Sequence, residues 1–163
     1  MHIDDVSVAV DEKLLLTTIT TNLMGPIRMT GAFIEHLKKQ DRAVVMNVSS
    51  VLGFVPMTMA AVYSTTKAAM HSYSLSLRYK LKDTSVKVLE LAPPWVATDL
   101  LNSKDNPNAM PLEEFIAETI KVLGTDEQEV LVERAKALRN NVGPNESSFV
   151  TQFNDRMAQS VST

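Results

Sequence analysis

The sequence predicts a layered α/β protein built on a parallel sheet, and three observations carry that prediction. Residues 43–50 (A-V-V-M-N-V-S-S) and 85–92 (S-V-K-V-L-E-L-A) are short β-rich runs. Between them, residues 61–82 place Met70, Tyr73, Leu77 and Leu81 on one helical stripe. Strand, long helix and strand in this order form a parallel crossover, for which a right-handed connection is nearly obligatory.

Taken in order, residues 11–39 read as one long helix, with Leu15, Ile19, Leu23, Ile27, Phe33, Ile34 and Leu37 near helical spacing and an interruption at Gly25-Pro26. The run at 43–50 lacks polar alternation, so it is expected to be covered on both faces and central in the sheet. A loop with Gly53 and Pro56 leads into the helix at 61–82. The strand at 85–92 stops at Pro93-Pro94. Residues 101–110 are polar and turn-rich, which predicts a surface loop. Pro111 opens a helix with Glu113 and Glu114 in its first turn, where carboxylates suit the dipole, and that helix should end near Gly124. A short strand at 129–132 and short helices at 133–140 and 146–158 complete the chain. There is no internal repeat and no composition break, so residues 1–163 are expected to form a single domain.

With 45% apolar and 21% charged residues, 163 residues suffice for one globular core. Sixteen Lys and Arg against nineteen Asp and Glu give a net charge of −3, which supplies no attraction for nucleic acid or an anionic membrane. With no cysteine there is no disulfide and no thiolate metal site. His2, His36 and His71 lack zinc-ligand spacing, so no metal is expected. The first residues lack a signal-peptide pattern, and no apolar run approaches the roughly 18–20 residues that span a bilayer. These features predict a cytoplasmic protein, in which the sequons at Asn47 and Asn145 are chance matches.

The chemistry concentrates at Tyr63 and Lys67, four apart on one helix face. A unit charge about 5 Å from the phenol, at an effective dielectric of about 20, is worth roughly 3 kcal/mol, enough to lower a phenol pKa by about two units. Alone, such a pair is common. Ser50, however, ends the strand thirteen residues earlier, and the carboxyl ends of parallel strands are where open α/β sheets hold ligands. The next strand delivers residues 93–98 to the same edge. Pro26 cannot donate to the Asn22 carbonyl. That carbonyl then needs another donor, either an ordered water linked to Lys67 or a neighbouring hydroxyl.

Together these residues resemble the short-chain dehydrogenase/reductase family. Asn22-Leu23-Met24-Gly25 is similar to its N-x-x-G element, Asn47-Val48-Ser49-Ser50 to its serine-bearing strand, Tyr63-Ser64-Thr65-Thr66-Lys67 to its Y-x-x-x-K core, and Pro93-Pro94-Trp95-Val96-Ala97-Thr98 to its P-G-x-V-x-T segment. The wording E-L-A-P-P-W-V-A-T-D-L resembles the DltE-like oxidoreductase branch. The resemblance implies a partial Rossmann-like, doubly wound parallel sheet. It also implies a catalytic set of Asn22, Ser50, Tyr63 and Lys67. Ser50 would polarise a substrate carbonyl, Tyr63 exchange the proton, Lys67 lower the phenol pKa and hold the nicotinamide ribose, and Asn22 anchor a relay water. Pro93, Val96 and Thr98, with Tyr63 and Lys67, would contact NAD or NADP; Pro94 stands where the family has glycine.

The family's opening strand and T-G-x-x-x-G-x-G loop have no counterpart, because glycines 25, 31, 53, 124 and 143 cannot form it. The chain therefore resembles the C-terminal two-thirds of a member, with the N-terminal strands missing. Two readings follow: an NAD(P)-dependent oxidoreductase acting on a small carbonyl or alcohol, or a non-catalytic remnant that folds and associates without coenzyme. Loss of the early strands would open the edge of the strand at 43–50, favouring a homodimer or homotetramer. In that setting Met70, Tyr73, Leu77 and Leu81 are either partner contacts or intrachain core. Substrate choice would lie in residues 99–115.

Overall fold

The computed structural model describes residue 9 and residues 11–141 and 143–161; the N-terminal segment and His2 read above lie outside them. The first helical run is three segments rather than one. Helix α1 (Glu12–Ile19) starts at Asp11, whose carboxylate accepts from the Leu14 N–H at 3.0 Å. A π-helical turn, Thr20–Met24, follows, and then α2 (Gly25–Leu37). Pro26 explains the widened turn. Its missing N–H would break an α-helical ladder, and the Gly25 N–H instead reaches five residues back to the Thr20 carbonyl.

Strands β1 (Ala43–Val48), β2 (Val86–Leu91) and β3 (Glu129–Val130) form one parallel sheet in the order β1-β2-β3. The register runs from Ala43 opposite Val86 to Val48 opposite Leu91, and Glu90 lies opposite Glu129. Helix α3 (Ala61–Leu81) connects β1 to β2. A 3-10 segment (Leu100–Asp105) and α4 (Leu112–Leu123) lie between β2 and β3, with Pro111 and Gly124 at the ends of α4 as their chemistry predicts. Helices α5 (Glu133–Arg139) and α6 (Glu146–Val161) follow. No described helix is long and apolar enough to cross a membrane.

Strand β1 departs from expectation. It stands at the edge of the described sheet, and Val44, Met46 and Val48 are 54%, 44% and 50% exposed. Its inward residues, Ala43 and Val45, pack with Ile34, Leu37 and Leu77 on Leu81, Val86 and Val88. One face of β1 is thus covered and the other exposed among the described residues. A second cluster gathers Val51, Phe54, Val55, Ala92, Met110, Val132 and Ala135, onto which Phe149, Val150 and Phe153 of α6 fold. Of the α3 stripe, Met70 and Leu81 are buried within the chain, Leu77 packs on the first cluster, and Tyr73 is half-buried.

Candidate active site

The parallel ladder continues past both strand ends and so fixes Ser50. The Ser49 N–H donates to the Leu91 carbonyl at 2.9 Å, and the Val51 N–H to the Pro93 carbonyl at 3.1 Å. Ser50 lies between these two anchored neighbours in extended backbone. Its hydroxyl oxygen accepts from the Leu52 N–H at 3.1 Å, capping a 3-10 turn (Val51–Gly53). The same hydroxyl lies 3.5 Å from the Pro93 carbonyl and close enough to the Tyr63 phenol to lower its pKa.

Tyr63 stands in the first turn of α3, half-buried, and Lys67 follows one turn later. The Lys67 Nζ donates to the Val48 carbonyl at 2.9 Å and lies 5.4 Å from the centre of the Tyr63 ring. Burial pushes the phenol above its ordinary value, and the Ser50 hydroxyl pulls it back in part. Burial also lowers the Lys67 ammonium. The expected two-unit fall of the phenol pKa is therefore not what the geometry produces: desolvation dominates, and Tyr63 holds its proton at neutral pH.

Asn22, in the π turn, reaches this helix through Thr66. Its Nδ2 lies 3.5 Å from Thr66 Oγ1, which donates to the Tyr63 carbonyl at 2.7 Å. The segment after β2 is held separately. Val96 bridges to Met110, the Ala97 N–H donates to the Met110 carbonyl at 2.8 Å, and the buried Ser103 hydroxyl donates to the Val96 carbonyl at 2.9 Å and accepts from the Thr98 N–H at 3.3 Å. Ser50, Tyr63, Lys67 and Pro93 thus meet at one strand end. Asn22 joins through a relay, and Val96 and Thr98 sit in the adjoining pinned segment.

Three features escaped the sequence reading. A Cβ on Gly53 would lie 2.9 Å from both the carbonyl carbon and oxygen of Lys67, so only glycine lets this turn press on α3. Asn154 of α6 clamps the loop before Tyr63, donating to the Pro56 carbonyl at 3.0 Å and accepting from the Thr58 N–H at 2.7 Å. Glu90 is 1% exposed, accepting from Ser49 Oγ at 2.5 Å, with His71 Nδ1 at 2.8 Å from its other oxygen. Only the last had a signal in the sequence: a charged residue in phase with Val86 and Val88 on an inward strand face.

A serine hydroxyl, a phenol and an ammonium are thus gathered at the carboxyl end of a strand in a parallel α/β sheet. The short chain dehydrogenase family model matches residues 3–109. The chain belongs to this family. It is 37% identical over 141 residues to the uncharacterized oxidoreductase DltE of Bacillus subtilis (strain 168), covering 83% of this chain and 56% of that protein. Against an uncharacterized oxidoreductase of Staphylococcus epidermidis the identity is 36%, over 60% of this chain and 42% of the relative. The chain spans about half the length of these curated relatives. A short chain dehydrogenase from Burkholderia cenocepacia J2315, solved with NADP, superposes with a TM-score of 0.79 at 21% identity, over 92% of this chain and 65% of that one. Another from Streptomyces avermitilis gives 0.73 at 18% identity, over 98% and 67%. The solved structures establish the shared fold.

Proposed function

We propose that the chain carries the proton-transfer side of an NAD(P)-dependent oxidoreductase acting on a small carbonyl or alcohol. The observation that supports this most is the meeting of Ser50, Tyr63 and Lys67 at the end of β1. A phenol held above its ordinary range is a proton donor at neutral pH, and a substrate oxygen beside it is also within the reach of Ser50. Lys67 spends one donor on the Val48 carbonyl, and its remaining N–H groups suit ribose hydroxyls. The nicotinamide, when bound, supplies or accepts the hydride. Val96 and Thr98 would face its carboxamide, and Asn22 would anchor the relay water.

The nicotinamide end fits these residues, and the pyrophosphate end lacks a glycine cradle among them. Gly25 and Gly31 lie in α2, Gly53 is pressed on α3, and Gly124 closes α4. That observation favours a second reading, in which this chain folds without itself binding coenzyme. The oxidoreductase reading is of a cytoplasmic homodimer or homotetramer whose substrate is selected by residues 99–115. Isothermal titration of the 163-residue chain with NADH and NADPH separates the two. Saturable binding weakened by Lys67→Ala supports the oxidoreductase; no heat at millimolar coenzyme supports the second reading.

A further inference from the structure

A carboxylate as deeply buried as that of Glu90 costs several kcal/mol in desolvation unless its oxygens are occupied. An apolar residue in phase with Val86 and Val88 would fill the same place at lower cost. What the carboxylate adds is direction. Its two donors border the proposed reacting residues on both sides: Ser49 immediately precedes Ser50, and His71 follows Lys67 by one turn of α3. The His71 ring also packs edge-on against Phe54 at 5.0 Å, just beyond the turn that Ser50 caps. We propose that Glu90 is a positioning residue, its carboxylate joining the end of β1 to α3 through Ser49 and His71 and so setting the Ser50 hydroxyl against the Tyr63 phenol. The inference rests on the Ser50–Tyr63 reading above.

The surroundings favour this role over ion binding. His71, Glu90 and Glu129 bring ligand atoms within 4.8 Å of one another. However, Arg139 occupies both oxygens of Glu129, at 2.8 and 3.1 Å, and both oxygens of Glu90 already have donors. Arg139 itself lies over Phe54 at 5.0 Å, closing the cluster from α5. The fold has an independent bond between β1 and α3, because Asn47 Nδ2 donates to the buried Ser74 hydroxyl at 2.9 Å. That bond and the backbone bonds of Ser49 and Val51 survive removal of the Glu90 contacts, so an effect of that removal is read at the Ser50 hydroxyl while strand and helix stay joined.

The test is an NMR titration of isotope-labelled tyrosine in the chain itself, in which Tyr63 is told from Tyr73 and Tyr79 by Tyr63→Phe. Ser49→Ala removes one donor without changing the charge. It should move the Tyr63 midpoint upward by about one unit, the worth of one hydrogen bond to a charged oxygen. Ser50→Ala should do the same, the double variant should go no further, and Tyr73 and Tyr79 should stay in place. Glu90→Leu should reproduce Ser49→Ala, whereas Glu90→Gln, which keeps an acceptor for Ser49, should leave the midpoint near that of the parent. The Tyr63 phenol-carbon shift at neutral pH repeats the comparison without alkali, and Ser49→Ala decides the matter should Glu90→Leu fail to fold. If Ser50→Ala moves Tyr63 and Ser49→Ala does not, the positioning role is overturned and the Ser50–Tyr63 reading stands. If Ser50→Ala leaves Tyr63 unmoved, both fall.

Discussion

Gly53→Ala isolates the packing that holds the serine turn against the tyrosine helix. The added methyl would stand 2.9 Å from the Lys67 carbonyl carbon, 2.9 Å from its oxygen and 3.1 Å from the Ala68 nitrogen. All three are backbone atoms of α3, so no side chain can swing aside. Overpacking of this kind costs about 1–3 kcal/mol. Replacing glycine by alanine where the backbone is unstrained gives back about 0.4–1 kcal/mol through the unfolded chain. The difference is a net loss of about 1–2 kcal/mol, a fall of roughly 5- to 30-fold in the folded-to-unfolded ratio. Urea unfolding followed by circular dichroism reads this as a lower midpoint at unchanged slope. A midpoint equal to or above that of the parent would mean that the turn yields easily, and the claim that only glycine lets it press on α3 would fail.

Three further outcomes are expected. Because burial lowers the Lys67 ammonium from its ordinary value of 10.5, the unfolded chain holds more protons just below that pH, so stability rises as pH climbs toward it. In a Tyr63→Phe background, which removes the opposing phenol, Lys67→Met should flatten that rise in urea midpoints collected across the alkaline range; a persisting rise would mean another group is responsible. Asn154→Ala frees the Thr58 N–H, and amide exchange there should quicken by about tenfold, the worth of one net hydrogen bond, while amides of β2 keep their parent rates. Met46→Lys puts a charge on the bare face of β1, and sedimentation velocity should show a smaller species than the parent; an identical mass would place any self-association elsewhere.

The proposed reacting residues are legible in the sequence because each is tied to a local feature. Tyr63 and Lys67 are one helical turn apart, Ser50 closes a β-rich run, and Asn22 precedes a glycine-proline break. The same locality recovered α3, β2, α4 and β3 with their ends displaced by a residue or two. What sequence patterns could not carry is distance across the fold. The clash at Gly53 depends on a helix fourteen residues away, and the Asn154 clamp on a loop 96–98 residues upstream. The phenol pKa was misjudged for a related reason, since spacing shows the nearby charge but not the desolvation that outweighs it. Strand β1 differs in another way: its run without polar alternation reads as a strand covered on both faces, whereas Val44, Met46 and Val48 are exposed.

The Asn154 clamp has a consequence for the order in which the molecule assembles. The bonds that join Ser49 to Glu90 and Lys67 to Val48 close loops of 41 and 19 residues, and all their partners precede residue 92. A chain emerging from the ribosome can therefore set the serine strand against the tyrosine helix before α6 exists. The clamp closes the longest interval, and closure entropy grows with that length, so it is expected to form last. The loop leading to Tyr63 can therefore be tied to α6 only once residue 154 has been made.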